Sequence, residues 1–219
     1  MTVIDSHLPN KKFSLHKSLN RIAQTFVATV LLLSPALRLN AQTETELPPD
    51  VVVQDVYYGI VSLHGYQEVP QAYYNVEIGS TSPCGPINGS AYCPNNHTIY
   101  ITTNHIQMAY QYGGDAALAY IVAHEYAHAM QTAFKFMPNI TPISELQADC
   151  LAGLYLGVID NLYFDAADIE EIRSLAYRLG DYEPWSEQHH GTPDQRVSAV
   201  SIGINASQAG LDGASQCMI

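Results

Sequence analysis

Val122-Ala123-His124-Glu125-Tyr126-Ala127-His128-Ala129-Met130-Gln131 holds an HExxH pattern between uncharged neighbours. On an α-helix four residues make a little more than one turn, so His124 and His128 stand one above the other on one face. Two imidazoles so placed can close on one metal ion. Glu125 lies beside that face and cannot easily enter the same coordination shell, which leaves its carboxylate free to act as general base on a water. From Ala116 to Met130 the chain has Glu125 as its one acid and no Lys or Arg, unlike a solvent-facing amphipathic helix. This helix reads as buried nearly all round, and buried polar groups left unpaired cost about 1–3 kcal/mol each. A metal supplies a partner; two core histidines satisfied by hydrogen bonds are the other reading of the helix alone.

Downstream lies Ser144-Glu145-Leu146-Gln147-Ala148-Asp149-Cys150, with Glu145 and Asp149 spaced i,i+4 on one helical face. Two acids one turn apart repel unless a cation sits beside them. Zn²⁺ held by His124, His128 and Glu145 is that cation, and its fourth position stays open for water, as catalysis requires. Asp149 then accepts the other ring N–H of a ligand histidine. The competing reading, two solvated acids at a helix N-terminus, is opposed by the apolar run from Leu146 to Val158.

HEYAH, followed by ELQADC and later by HGTPDQR, resembles the neutral zinc metallopeptidase family, within the HExxH peptidases whose third ligand is a Glu in an ExxxD helix. The likeness covers about Tyr73 to Ile202, and Cys93-Pro94 to Tyr100 is similar to the strand that leads into the family's motif helix. The resemblance implies an α+β, zincin-like fold: a small N-terminal sheet with an edge strand over the motif helix, and a mostly helical C-terminal part. It implies Zn²⁺ on His124, His128 and Glu145, Glu125 as the catalytic group, and a peptide or protein substrate. Ala127 stands where Gly is common in the family, and Asn96-His97 where an acid is often found; these departures bear on substrate preference rather than on the metal.

Length and composition set the frame. With 219 residues and 47% hydrophobic content, the chain has material for one core. Lys11, Lys12, Lys17 and Arg21 precede the apolar run Phe26 to Leu33, then Ser34-Pro35-Ala36 and Leu39-Asn40-Ala41. Residues 1–41 therefore read as a secretory signal, too short in its apolar part to span a bilayer comfortably. Membrane association is expected only if this segment stays uncleaved. Residues 42–72 read as a polar lead-in and N-terminal elements, and 73–219 as a single zinc peptidase domain. Five of nine cations and one of 21 acids lie before residue 42, so the remainder carries 4 basic against 20 acidic residues, a net charge of −16. That balance argues against nucleic acid, whose binding rests on Lys and Arg.

The Gly, Pro and Ser rich loop Gly79 to Ser90 ends near Cys93. In an exported chain Cys84 and Cys93 are most simply a disulfide, with zinc binding as the other reading. Cys150 and Cys217 are either a second bridge or free thiols. Val51 to Val53 and Tyr57 to Leu63 fit short strands or one helix. Thr98-Ile99-Tyr100-Ile101-Thr102-Thr103 reads as a strand, expected to be the edge that pairs with an extended substrate. His97 and His105 beside it read as surface histidines. Asp115 is expected to cap the motif helix, Asp165 and Thr192-Pro193 to open later helices, and Gln42 to Asp50 to be flexible.

A hydrolytic zinc site also needs a donor for the oxyanion. By the family's HGT pattern His190 is the first candidate, with His189 or Tyr126 as substitutes. Arg196 is one of only four cations after residue 41 and is expected to pair with a carboxylate near the site. These readings converge on a zinc-dependent peptidase, endopeptidase rather than exopeptidase, that is secreted or periplasmic. A catalytically silent, zinc-stabilised exported binding module and a hydrolase of non-peptide amides are the alternatives.

Overall fold

In a computed structural model of the chain, residues 1–4, 46–160, 162–184 and 189–218 are described. Most of the expected signal segment therefore lies outside the described residues. Its first residues do not: Thr2–Ile4 forms strand β1. The strands β1, β2 (Gln71–Val76), β5 (Ala91–Cys93) and β6 (Thr98–Thr102) make a sheet of order β1-β2-β6-β5, in which β2 and β6 are parallel and the two outer pairings antiparallel. The hairpin β3 (Thr81–Ser82) and β4 (Gly85–Pro86) sits in the excursion between β2 and β5.

Among the described residues there are also six α-helices, α1 (Pro49–Leu63), α2 (Thr103–Tyr112), α3 (Gly114–Ala133), α4 (Thr141–Val158), α5 (Ala166–Leu179) and α6 (Pro193–Ala206), followed by a 3-10 turn over Ser207–Cys217. The mixed α+β class is as the sequence implies. The apolar runs around Val53 and Ile60 resolve into the single helix α1, which buries Val53, Val56, Tyr57 and Ile60 in the same core as α3. A strand with both faces covered gives the same short apolar run, and only the packing partner separates the two.

Strand β6 is interior, with all five residues buried, so it is not the edge expected of Thr98 to Thr103. The disulfide Cys84–Cys93, with Cα atoms 5.7 Å apart, ties the hairpin to the end of β5 and brings the chain back to pair with β6. β5 is thereby the edge on that side, with β1 at the other. Of the lead-in expected to be flexible, 42–45 lie outside the described residues and the rest is tied down: the Leu47 N–H donates to Asp115 at 2.8 Å and the Tyr110 hydroxyl donates to the Leu47 carbonyl. Asp115 serves that lead-in instead of capping α3, whose N-cap is Gly113. Asp165 and Thr192 do cap α5 and α6, each closing a capping box with the residue three positions on.

Two glycines decide how the helical part closes. A Cβ on Gly203 of α6 would lie 1.8 Å from the Cys150 carbonyl oxygen of α4, and one on Gly153 of α4 would lie 2.3 Å from the Val200 carbonyl oxygen. Side chains there would force the helices apart, so α4 and α6 cross backbone to backbone. The crossing is what carries Arg196 of α6 up to Asp149 of α4. The second disulfide, Cys150–Cys217, pins the C-terminal turn to α4.

Candidate metal centre

The motif helix α3 buries 17 of its 20 residues. It therefore presents His124 and His128 from a rigid, packed rod toward the N-terminal turns of α4. The Nε2 atoms of the two histidines lie 3.2 Å apart, and each is 3.2 Å from an oxygen of Glu145. Zinc with four ligands at about 2.0–2.1 Å in tetrahedral array needs ligand atoms about 3.3–3.4 Å apart. The triangle of two imidazoles and one carboxylate has that size and that donor chemistry, so these residues fit Zn²⁺.

Without an ion the same cluster shows how much it calls for positive charge. Burial opposes a charge on His124, but the carboxylates of Asp149 and Glu145 outweigh it and lift its pKa to about 10. Burial likewise raises Glu145, yet the two histidines win and hold its carboxyl far below the usual carboxylate range. A proton on His124 stands in for the ion.

Asp149 is fully buried and sits behind His124. Its Oδ1 is 2.8 Å from His124 Nδ1, approached obliquely to the ring N–H so that no well-aligned hydrogen bond forms. Arg196 grips the same carboxylate with two donors, Nε to Oδ2 at 2.9 Å and Nη2 to Oδ1 at 2.7 Å. Tyr120 donates its hydroxyl proton to Asp149 at 2.5 Å and accepts from Arg196 Nη2 at 3.2 Å. Burial raises Asp149, but Arg196 and then His124 hold it below its ordinary value. The pairing expected of Arg196 is thus with the residue that backs His124.

Behind His128 stands a residue not anticipated from the sequence. Gln131 Oε1 lies 2.7 Å from His128 Nδ1. The one available signal was its place three residues past His128 in a helix without Lys or Arg.

A cleft of about 570 Å³ opens over the centre, walled by Ser90 to Tyr92 and Pro94 on one side and by Ile121, Met137 and Leu179 on others, with Glu125 and His190 facing into it. Burial pushes the Glu125 carboxyl up, only partly offset by the two histidines. His190 Nδ1 is 3.5 Å from Glu145 Oε2, and burial lowers its pKa, favouring the neutral ring. The substitutes for His190 are placed elsewhere. His189 turns to Asp181, with Nδ1 to Oδ1 at 2.7 Å. Tyr126, two residues past His124 and so on another side of the helix, is fully buried against Tyr57 and Tyr155.

His105 and His97 do more than decorate the surface. His105 Nδ1 accepts the Ser90 N–H at 3.1 Å at the start of β5, and His97 Nδ1 meets the Tyr92 hydroxyl at 2.8 Å. Both brace the cleft wall, and neither reaches the ligand triangle. A second group of acids, Asp115, Asp168 and Glu171, gathers between α3 and α5. It has no imidazole, and two of its carboxylates already serve backbone N–H groups, of Leu47 and Asp165.

The chain is 32% identical over 168 residues to "Uncharacterized protein Rv2575" of Mycobacterium tuberculosis (strain ATCC 25618 / H37Rv), covering 69% of this chain and 53% of that one. It is 28% identical over 148 residues to "Uncharacterized protein YpfJ" of Escherichia coli (strain K12), covering 55% of this chain and 52% of the other. The chain thus spans about half the length of these curated relatives. No solved structure matches it. Residues 62–211, which contain the ligand triangle, Glu125, His190 and Arg196, match the family described as "Putative neutral zinc metallopeptidase". The chain belongs to that family, and its cofactor is Zn²⁺.

Proposed function

We propose that this protein is a zinc-dependent endopeptidase acting on extended peptide segments. The observation that carries the reading is the ligand triangle at 3.2 Å with the Glu125 carboxylate facing the same cleft. When bound, Zn²⁺ supplies Lewis-acid charge that acidifies a coordinated water and polarises a carbonyl. The remaining work falls to the chain. Glu125, its basicity raised by burial, takes the proton of the attacking water and passes it to the leaving nitrogen. His190, neutral and at the cleft, donates a hydrogen bond to the carbonyl oxygen as charge builds there.

The edge strand β5 offers main-chain pairing to an extended substrate, the role the sequence had led us to expect of β6. Internal cleavage is favoured because binding a chain terminus needs a free charge. Arg196 reaches the cleft but is committed to Asp149, and the described walls are otherwise apolar or neutral beyond the metal-site residues. Apolar side chains beside the scissile bond suit Ile121, Met137 and Leu179. Two disulfides fit an oxidising, extracytoplasmic setting; among the described residues no helix is long and apolar enough to cross a membrane.

The test is cleavage of casein and a mixed peptide library by the full chain, with and without chelator, beside Glu125→Gln. We expect chelator to abolish cleavage and zinc to restore it. Glu125→Gln should keep its zinc and lose at least about 100-fold in kcat/KM, the low end of general acid-base contributions. Stoichiometric zinc with no chelator-sensitive cleavage would favour the silent binding module instead, and cleavage of small amides alone would favour the non-peptide hydrolase.

A further inference from the structure

Gln131 takes no part in the chemistry above, yet every polar atom of its side chain is spent. Its Nε2 donates to the Ser144 carbonyl oxygen at 2.9 Å and to Gln147 Oε1 at 2.9 Å, while its Oε1 faces His128 Nδ1 at 2.7 Å. Gln131 and Gln147 are 0% and 2% exposed, so water does not compete. An amide can be turned end for end, and its orientation has to be argued from its partners. Here the partner decides: the Ser144 carbonyl belongs to the backbone and can only accept, so the amide NH₂ must face it. Oε1 is then turned to His128. An acceptor at that place puts the proton of the neutral imidazole on Nδ1 and the lone pair on Nε2, the atom that points at His124 Nε2 and Glu145.

The same amide also joins two elements. Ser144 adjoins Glu145 in α4, so a side chain from α3 bonds the backbone of the other ligand-bearing helix one residue from the third ligand. Hydrogen bonds behind metal-bound histidines are generally worth 10–100-fold in metal affinity.

We infer that Gln131 is a positioning residue of the metal centre: it fixes His128 in its metal-binding tautomer and holds α3 and α4 at coordinating distance. This rests on the zinc reading of His124, His128 and Glu145.

The experiment uses the full chain as wild type, Gln131→Met, Gln131→Glu and His124→Ala. Zinc affinity is read by competition with a chromophoric chelator, and ligand geometry by the visible spectrum of the cobalt-substituted protein, with circular dichroism as the check on folding. Gln131→Met keeps length and shape but has no N–H donor and offers His128 only a weak thioether acceptor; it should lose about 10–100-fold in zinc affinity and change the cobalt bands. Gln131→Glu keeps an acceptor for His128 but gives up the N–H bonds to Ser144 and Gln147, so it should lose less zinc affinity than Gln131→Met, with shifted bands because a carboxylate makes His128 a stronger donor. Should Gln131→Met fail to fold, Gln131→Glu decides through its bands. Unchanged affinity and bands in Gln131→Met, equal losses in both variants, or an unshifted spectrum in Gln131→Glu would overturn the assignment. Zinc binding that His124→Ala leaves intact would instead overturn the metal reading beneath it.

Discussion

His124 and His128 stand one turn apart on one helix and face one point, yet the groups behind them differ in kind. Behind His124 is a charged assembly, with Asp149 held between Arg196 and Tyr120. Behind His128 is a neutral one, with Gln131 held by Gln147 and a backbone carbonyl. The difference follows from charge balance in a buried place. A divalent ion and Arg196 neutralise the three carboxylates Glu125, Glu145 and Asp149. A fourth carboxylate behind His128 would have no counter-charge, and an uncompensated buried ion costs several kcal/mol. An amide accepts the same hydrogen bond without adding charge. On our reading the two sides therefore divide the labour: one balances the ion, and the other orients His128 and ties α3 to α4 without adding charge.

If that division is right, breaking the charged side should cost far more stability than breaking the neutral one. Arg196→Met strands Asp149, which is 0% exposed, and should destabilise the zinc-free protein by about 3–5 kcal/mol in denaturant unfolding. Gln131→Met leaves uncharged acceptors unsatisfied and should cost about 1–3 kcal/mol. Adding Asp149→Asn to Arg196→Met should recover part of the loss, because it removes the stranded charge. Equal costs on the two sides would dissolve the comparison.

The pH dependence of the zinc-free protein should carry the same mark. His124 has its folded pKa lifted from the usual 6.5 to about 10. A group raised on folding contributes stability that is complete below its unfolded value and is lost as pH climbs through the folded one. Asp149 is depressed from the usual 3.8, so its contribution is present above that value and vanishes as pH falls below it. The melting temperature of the zinc-free protein should thus be highest between about pH 4 and 6.5 and fall toward pH 10. With zinc in place of the proton, calorimetry across the same range should show no such decline near neutral pH. A zinc-free protein that grows more stable from pH 7 to 9 would show that the charged side does not hold a proton.

How much of this was open to reading in the chain depends on how local each relation is. The ligand triangle was legible because its parts repeat at helical spacing: His124 with His128, and Glu145 with Asp149. The Arg196 pairing was legible for another reason, since a chain with four cations after residue 41 must spend a buried one on an acid. Gln131 was not, because its meaning depends on Ser144 and Gln147 across a helix interface. The edge strand was misplaced because the pairing order depends on where the Cys84–Cys93 excursion brings the chain back, and β6 alone has no feature that says whether another strand lies outside it. The glycine crossing of α4 and α6 was equally hidden, being a matter of two backbones meeting.

Smaller effects sharpen the comparison within each side. Tyr120→Phe removes a hydroxyl that donates to Asp149 and accepts from Arg196 while leaving the ion pair, and should cost about 1–2 kcal/mol in unfolding experiments. The neutral side has a corresponding outermost member. Gln147 Nε2 donates to Met218 Sδ at 3.7 Å, on the tail that Cys150–Cys217 pins to α4. A thioether is a weak acceptor, and Met218 is 47% exposed, so water can replace it. Met218→Ala should therefore move stability by less than about 0.5 kcal/mol, as expected of an exposed position, and leave zinc affinity within about twofold of wild type, about 0.4 kcal/mol. A tenfold loss would mean that the orientation of Gln131 is set from the tail through Gln147, and that the Ser144 carbonyl alone does not hold it.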